Sequence, residues 1–288
     1  MRLTMPGNDG AYDKGSRKVV EPIEIETWFH VVSSLANANV VSDEMIITQV
    51  GIDLGPNYLS SHIKTLTDLK QLSYLQDAYQ NATISYRLKG VTRQTNDRWA
   101  RNEDEHGMKE ALRKGSYRTL NVYFQTDLQV STNSESQGRH LDFLSQSSSS
   151  VLGFCTLPDP SINGSSPRSS YVKDGCNVLA MTMPGGSLTH YNRGGTAIHE
   201  IGHWNGLLHT FEGESCSSDN EGDYIDDTPQ ESVPTDGCPT RKDSCPDIAG
   251  VDPVHNFMDY SSDECYEHFT PGQVNRMRDM WFAMREGK

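Results

Sequence analysis

The chain has no run of eighteen apolar residues, so no segment of it spans a membrane as a helix. It is poor in positive charge: 25 Lys and Arg stand against 39 Asp and Glu, for a net charge of −14. Nucleic acid and anionic membrane both need basic surface, so neither is an expected partner. No cysteine precedes Cys155, and none of the six that follow (Cys155, Cys176, Cys216, Cys238, Cys245 and Cys265) forms a CxxC pair. That argues against a structural zinc knuckle. The opening stretch MRLTMPGNDGAYDKG lacks an apolar centre and does not read as a signal peptide. There is no internal repeat and no EF-hand loop.

What is present describes a globular protein. The 288 residues, 35% hydrophobic and 22% charged, suffice for one large domain or two small ones. The even cysteine count favours disulfides in an oxidising compartment, with reduced buried thiols as the alternative. Two glycosylation triplets, at Asn81 and Asn163, agree with a secreted glycoprotein. An extracellular monomer is therefore expected, its export signal lying outside this chain.

The pattern along the chain is α+β. Residues 1–18 read as a loose lead-in. Residues 24–32, 83–88, 120–124, 151–157 and 178–183 read as strands, by alternation or as short apolar runs. Helices are expected at 43–50, behind a Ser42 cap, at 66–79, at 104–113 and over 271–285. The last opens on Thr270-Pro271-Gly272-Gln273, a capping box with proline at the first helical position. Residues 51–65 read as an irregular insertion, and the serine-rich 131–150 as a surface loop. Residues 212–264 are acidic and loop-rich.

One stretch carries chemistry: HEIGHWNGLLHTF, from His199 to Phe211. On a helix, residues four apart share a face, so His199 and His203 can grip one cation. Glu200, beside His199, can reach a water on that cation without binding the ion itself. A catalytic zinc needs a third protein ligand and an open fourth position. Gly206 can adopt the left-handed conformation that ends a helix, and the returning chain can deliver His209. Three histidines and a base is the economical reading. An amphipathic helix with histidines on its polar face is the bland alternative.

HEIGHWNGLLH matches the HExxHxxGxxH signature of the metzincin endopeptidases, and Asn256-Phe257-Met258-Asp259-Tyr260 stands where their Met-turn would follow. More narrowly the chain resembles the pappalysin family, in particular its small secreted fungal and microbial members. The carriers are the zinc stretch, GDYIDDTP (222–229), NFMDY, the spaced cysteines, GVTRQTNDRWA (90–100) and LRKGSYRTLNVYF (112–124). The likeness spans roughly residues 20 to 285.

This resemblance implies a fold and a set of roles. The fold is a twisted, mostly parallel sheet with a backing helix and an active-site helix above the cleft. The lower part is irregular, disulfide-bonded and ends in a C-terminal helix. The upper subdomain would span 19–206 and the lower 207–288. His199, His203 and His209 would hold catalytic Zn²⁺, Glu200 would be the general base, Met258 the floor, and Tyr260 a hydrogen-bond donor to the transition state. Cys216–Cys245 and Cys238–Cys265 would be crossed disulfides, leaving Cys155–Cys176. Spacing alone cannot choose among the three pairings of four cysteines. The family's proenzymes can be silenced by a cysteine on the zinc, and this chain has none ahead of Cys155.

Three finer expectations follow. The strand at 151–157 is the expected upper rim of the cleft, where a substrate peptide adds as a further strand. Glu264 is a candidate for favouring lysine or arginine after the cut bond, with a solvated acidic pair as the alternative. Asp219, Asp223, Asp226 and Asp227 are hard oxygen donors that can hold a stabilising Ca²⁺ or simply form a solvated loop. The rival functions are a zinc exopeptidase and a non-enzymatic secreted module pinned by structural zinc.

Overall fold

A computed structural model of the chain describes residues 20–50, 74–130, 139–143, 151–217 and 219–288. The expected lead-in at 1–18, the insertion at 51–65 and the first part of the 66–79 helix lie outside the described residues.

Six strands make one sheet: β1 (Ile23–Ser33), β2 (Ile84–Thr95), β3 (Leu120–Gln125), β4 (Arg139–Phe143), β5 (Val151–Thr156) and β6 (Cys176–Leu179), in the order β2-β1-β3-β6-β5-β4. β1 runs parallel to β2 and β3, and β3 parallel to β6. β5 is antiparallel to both of its neighbours. β3 is buried at every position, as a central strand covered on both faces must be.

Alternation along β1 divides the core between the faces. Ile25, Phe29 and Val31 join the main cluster with α1 (Asp43–Val50), α2 (Tyr74–Gln80), α5 (Gly195–Trp204) and α6 (Pro271–Met280). Val32 turns the other way, onto Met108 and Leu112 of α4 (Glu105–Leu112), with Trp99 of the short α3 (Asp97–Ala100) alongside. The caps follow the sequence. Ser42 Oγ accepts from Met45 N at 3.1 Å. Asp104 caps α4, and the Thr270/Gln273 box closes the start of α6.

Cys155 bridges to Cys176 across β5 and β6, with 4.2 Å between Cα atoms. Cys216–Cys245 and Cys238–Cys265 interleave in the lower part, each with 5.3 Å between Cα atoms.

Two expectations are corrected. The 178–183 run is a strand only to Leu179; a 3₁₀ turn, Ala180–Thr182, follows, closed by Thr182 Oγ1 donating to Leu179 O at 2.8 Å. The C-terminal helix, by contrast, fills the expected span 271–285: it is α-helical to Met280 and then widens into a π turn over Trp281–Arg285. The serine-rich 131–150 is not all loop, because it contains β4. β4 pairs with β5 from Arg139↔Thr156 to Phe143↔Val151. β5 is therefore hydrogen-bonded on both sides, and its edge is taken by β4 rather than left for a peptide.

Candidate metal centre

α5 starts where Gly194 takes φ 97°, a left-handed turn that glycine adopts without steric cost. Asp263 sits at this end and accepts from Arg193 N at 2.6 Å and Gly195 N at 3.4 Å, placing a carboxylate where the helix dipole favours it. Burial nonetheless pushes its carboxyl up to about 6, against those hydrogen bonds. Every residue of α5 is buried. The helix packs on β5 and β6, and Tyr79 of α2 donates its hydroxyl to Ile198 O at 2.7 Å.

The far end carries the decisive turn. Gly206 N donates to His203 O at 2.8 Å and Leu207 N to Gly202 O at 3.0 Å, with Gly206 at φ 96°. This is the Schellman arrangement, and it needs the left-handed residue at Gly206. The chain reverses and brings His209 back to the helix.

His203 Nε2 lies 3.1 Å from His199 Nε2 and 3.1 Å from His209 Nε2. The opposite ring nitrogens explain the orientation. His199 Nδ1 is 2.7 Å from Phe257 O and His203 Nδ1 is 2.9 Å from Leu207 O. A carbonyl only accepts, so each Nδ1 carries the proton and each Nε2 presents a lone pair. Two lone pairs cannot hydrogen-bond each other, so the His199 and His203 Nε2 atoms, with that of His209 beside them, form a donor set suited to a cation. Nitrogen ligands at 2.0–2.1 Å around a tetrahedral zinc stand about 3.3 Å apart, so spacing and donor chemistry both fit that ion. Glu212 Oε2 lies 3.9 Å from His209 Nδ1, and Phe211 stacks on the His209 ring at 4.7 Å.

The remaining expected residues fall into two groups. Met258 is fully buried beneath α5, against Gly202. Tyr260 is half-buried, its ring 5.8 Å from that of His199 and 5.0 Å from that of His209. Glu200 is buried on the same helix. The three imidazoles converge, with the Tyr260 ring beside two of them. The four aspartates do not. Among the described residues, the three histidines are the one group of three or more His, Cys, Asp or Glu poised for a metal. Asp223 is occupied by Thr228 Oγ1 and Ile225 N, and Asp227 by Thr270 Oγ1 and Gly272 N. Asp219 and Asp226 are exposed. Glu264 lies near the surface and pairs with His190 Nδ1 at 2.7 Å.

Sequence reasoning missed a second centre, around the buried Asp174. It takes Arg113 at 3.1 Å, Arg285 at 3.0 Å, the Trp204 indole N–H at 3.2 Å and Thr156 Oγ1 at 3.0 Å. Burial raises its carboxyl, but Arg285 and Arg113 outweigh this and hold it below the usual range. Arg285 also donates to Trp204 O at 3.2 Å and lies 3.6 Å from the centroid of the indole ring. The last residue of α5 is thus tied to the C-terminal turn.

The sequence pattern of the peptidase family described as pregnancy-associated plasma protein-A matches residues 162–281. An extracellular metalloprotease from Aspergillus oryzae is 64% identical over 96% of this chain and 81% of its own length. One from Aspergillus fumigatus is 62% identical over 98% of this chain and 82% of its own length. Mature mirolysin from Tannerella forsythia, solved with a cleaved peptide, shares the fold: TM-score 0.61, 24% identity, 91% of this chain and 92% of that one. No helix among the described residues is long and apolar enough to cross a membrane. The chain belongs to the pappalysin family of metalloendopeptidases.

Proposed function

We propose that the chain is a secreted zinc endopeptidase that cuts internal bonds of extended protein segments. The supporting observation is the convergence of three imidazole Nε2 atoms, two of them with the opposite nitrogen fixed by a carbonyl, on the helix that carries Glu200. When bound, zinc polarises the scissile carbonyl and lowers the pKa of the attacking water. Glu200 takes the proton from that water and passes it to the leaving amine. The Tyr260 hydroxyl donates to the oxyanion of the tetrahedral intermediate. Met258 supports the histidines from below. The upper part of the catalytic unit runs to residue 206, where the chain reverses, and the lower part from 207. The names of the Aspergillus relatives support an extracellular location.

Glu264, through its carboxylate, would favour lysine or arginine after the cut bond; comparing the cut-site profiles of the native chain and Glu264→Gln tests this. The structural-pin reading is weaker, because a zinc held only for stability has no need of Glu200. His209→Ala decides the metal reading. It should lose bound zinc and all cleavage while the sheet remains folded. Full zinc occupancy in that variant would refute the three-histidine site.

A further inference from the structure

Gly153 lies in β5, the strand on which α5 packs. A Cβ built there would stand 2.4 Å from Glu200 Oε1 and 2.8 Å from both its Cδ and its Cγ. Real side-chain carbons do not approach so closely, so anything larger than hydrogen at 153 must displace the Glu200 side chain from Cγ outwards. Gly153 is not among the glycines with positive φ. Its backbone conformation is open to any residue, and what the position requires is space.

The strand cannot retreat. β5 is held by β4 on one side, with Asp142 opposite Gly153, and by β6 on the other, with Val178 opposite. Two residues along, on the same face of the strand, Cys155 bridges to Cys176. The Cys176 sulfur lies 3.6 Å from the carbonyl oxygen of Glu200. The bridged strand pair therefore packs against the Glu200 backbone, while Gly153 leaves the space its carboxylate arm occupies. On the reading of Glu200 as general base, we propose that Gly153 is its positioning residue: the β5 backbone is a wall that sets where the carboxylate sits.

The test assays Gly153→Ala beside the native chain, each zinc-loaded and on one peptide, and combines it with Glu200→Ala for stability. Misplacing a reacting group by about an ångström costs on the order of 100-fold. Gly153→Ala should therefore lower kcat by roughly 10- to 100-fold, with KM within about twofold and one zinc retained. An unchanged kcat in Gly153→Ala would overturn the proposal. Melting temperature is the second arm, and it reads the contact without activity. Aspartate would keep the Cγ that stands 2.8 Å from the added methyl, so the discriminating background is Glu200→Ala, which removes Cγ, Cδ and Oε1 together. Gly153→Ala/Glu200→Ala should melt with Glu200→Ala, because the added methyl then meets no carboxylate. An equal drop in both backgrounds would mean that the strand itself needs glycine, and would refute the wall. Cleavage surviving in Glu200→Ala would sink the base reading. Full activity of Gly153→Ala beside an inactive Glu200→Ala would sink the wall alone.

Discussion

Gly202 faces Met258: a Cβ on Gly202 would stand 2.4 Å from the methionine sulfur. Gly202 precedes His203, so the contact lies directly under the metal-binding turn. Gly202→Ala must push either the sulfur or the helix aside. Overpacking of this kind costs about 1–3 kcal/mol, and the zinc affinity should fall with it. Met258→Leu keeps the volume and should cost less than about 1.5 kcal/mol. Chemical denaturation with and without zinc checks both. A Gly202→Ala variant as stable and as tightly zinc-bound as the native chain would remove Met258 as a support.

Asp174 joins Arg113, Arg285, Trp204 and Thr156 in the interior. Removing one member of a buried ion pair leaves the others unpaired, at about 3–5 kcal/mol. Asp174→Ala should therefore lose that much stability, and truncation before Arg285 should loosen the end of α5. A loss below about 1 kcal/mol in urea would show that the centre is not held by charge.

Stability should fall in mild acid, and His30 is one cause. It is fully buried between Thr92 and Asn121, and burial lowers it from 6.5 to about 4. The unfolded chain takes up a proton below about 6.5, while the folded chain does so only near 4. The neutral His30 thus contributes stability that is complete above 6.5 and is lost as the pH falls towards 4. Between pH 7.5 and 5 this amounts to roughly 2 kcal/mol. His30→Gln should flatten that part of the stability profile; an unchanged slope would acquit His30.

Asp227 caps α6 through Thr270 Oγ1 and Gly272 N. Asp227→Ala should cost about 1 kcal/mol, as cap losses do, and by the same amount with and without calcium. A melting temperature that rises with calcium in the native chain but not in the variant would restore the acidic loop as an ion site.

The metal centre was legible because its logic is local. The spacing of His199, His203 and Gly206 dictates a helix, a left-handed turn and a return, all within eleven residues. The strands at β1, β3 and β5 were legible for the same reason. β4 was not, since its Arg139-His140-Leu141-Asp142-Phe143 carries little apolar alternation and its pairing partner sets its conformation. The Asp174 centre was invisible because Arg113 and Arg285 are 61 and 111 residues away, and no period connects them. Gly153 looked like any strand glycine until the fold placed Glu200 against it.

On the proposed mechanism, zinc held by three histidines, with Glu200 as base, hydrolyses internal peptide bonds. The most direct measurement incubates the zinc-loaded chain and its Glu200→Ala variant with a proteome-derived peptide library and reads cut sites by mass spectrometry. The expected result is internal cuts by the native chain and none by the variant, with one zinc bound in each. Equal cutting by both, or no cutting by a folded, zinc-bearing native chain, would contradict it.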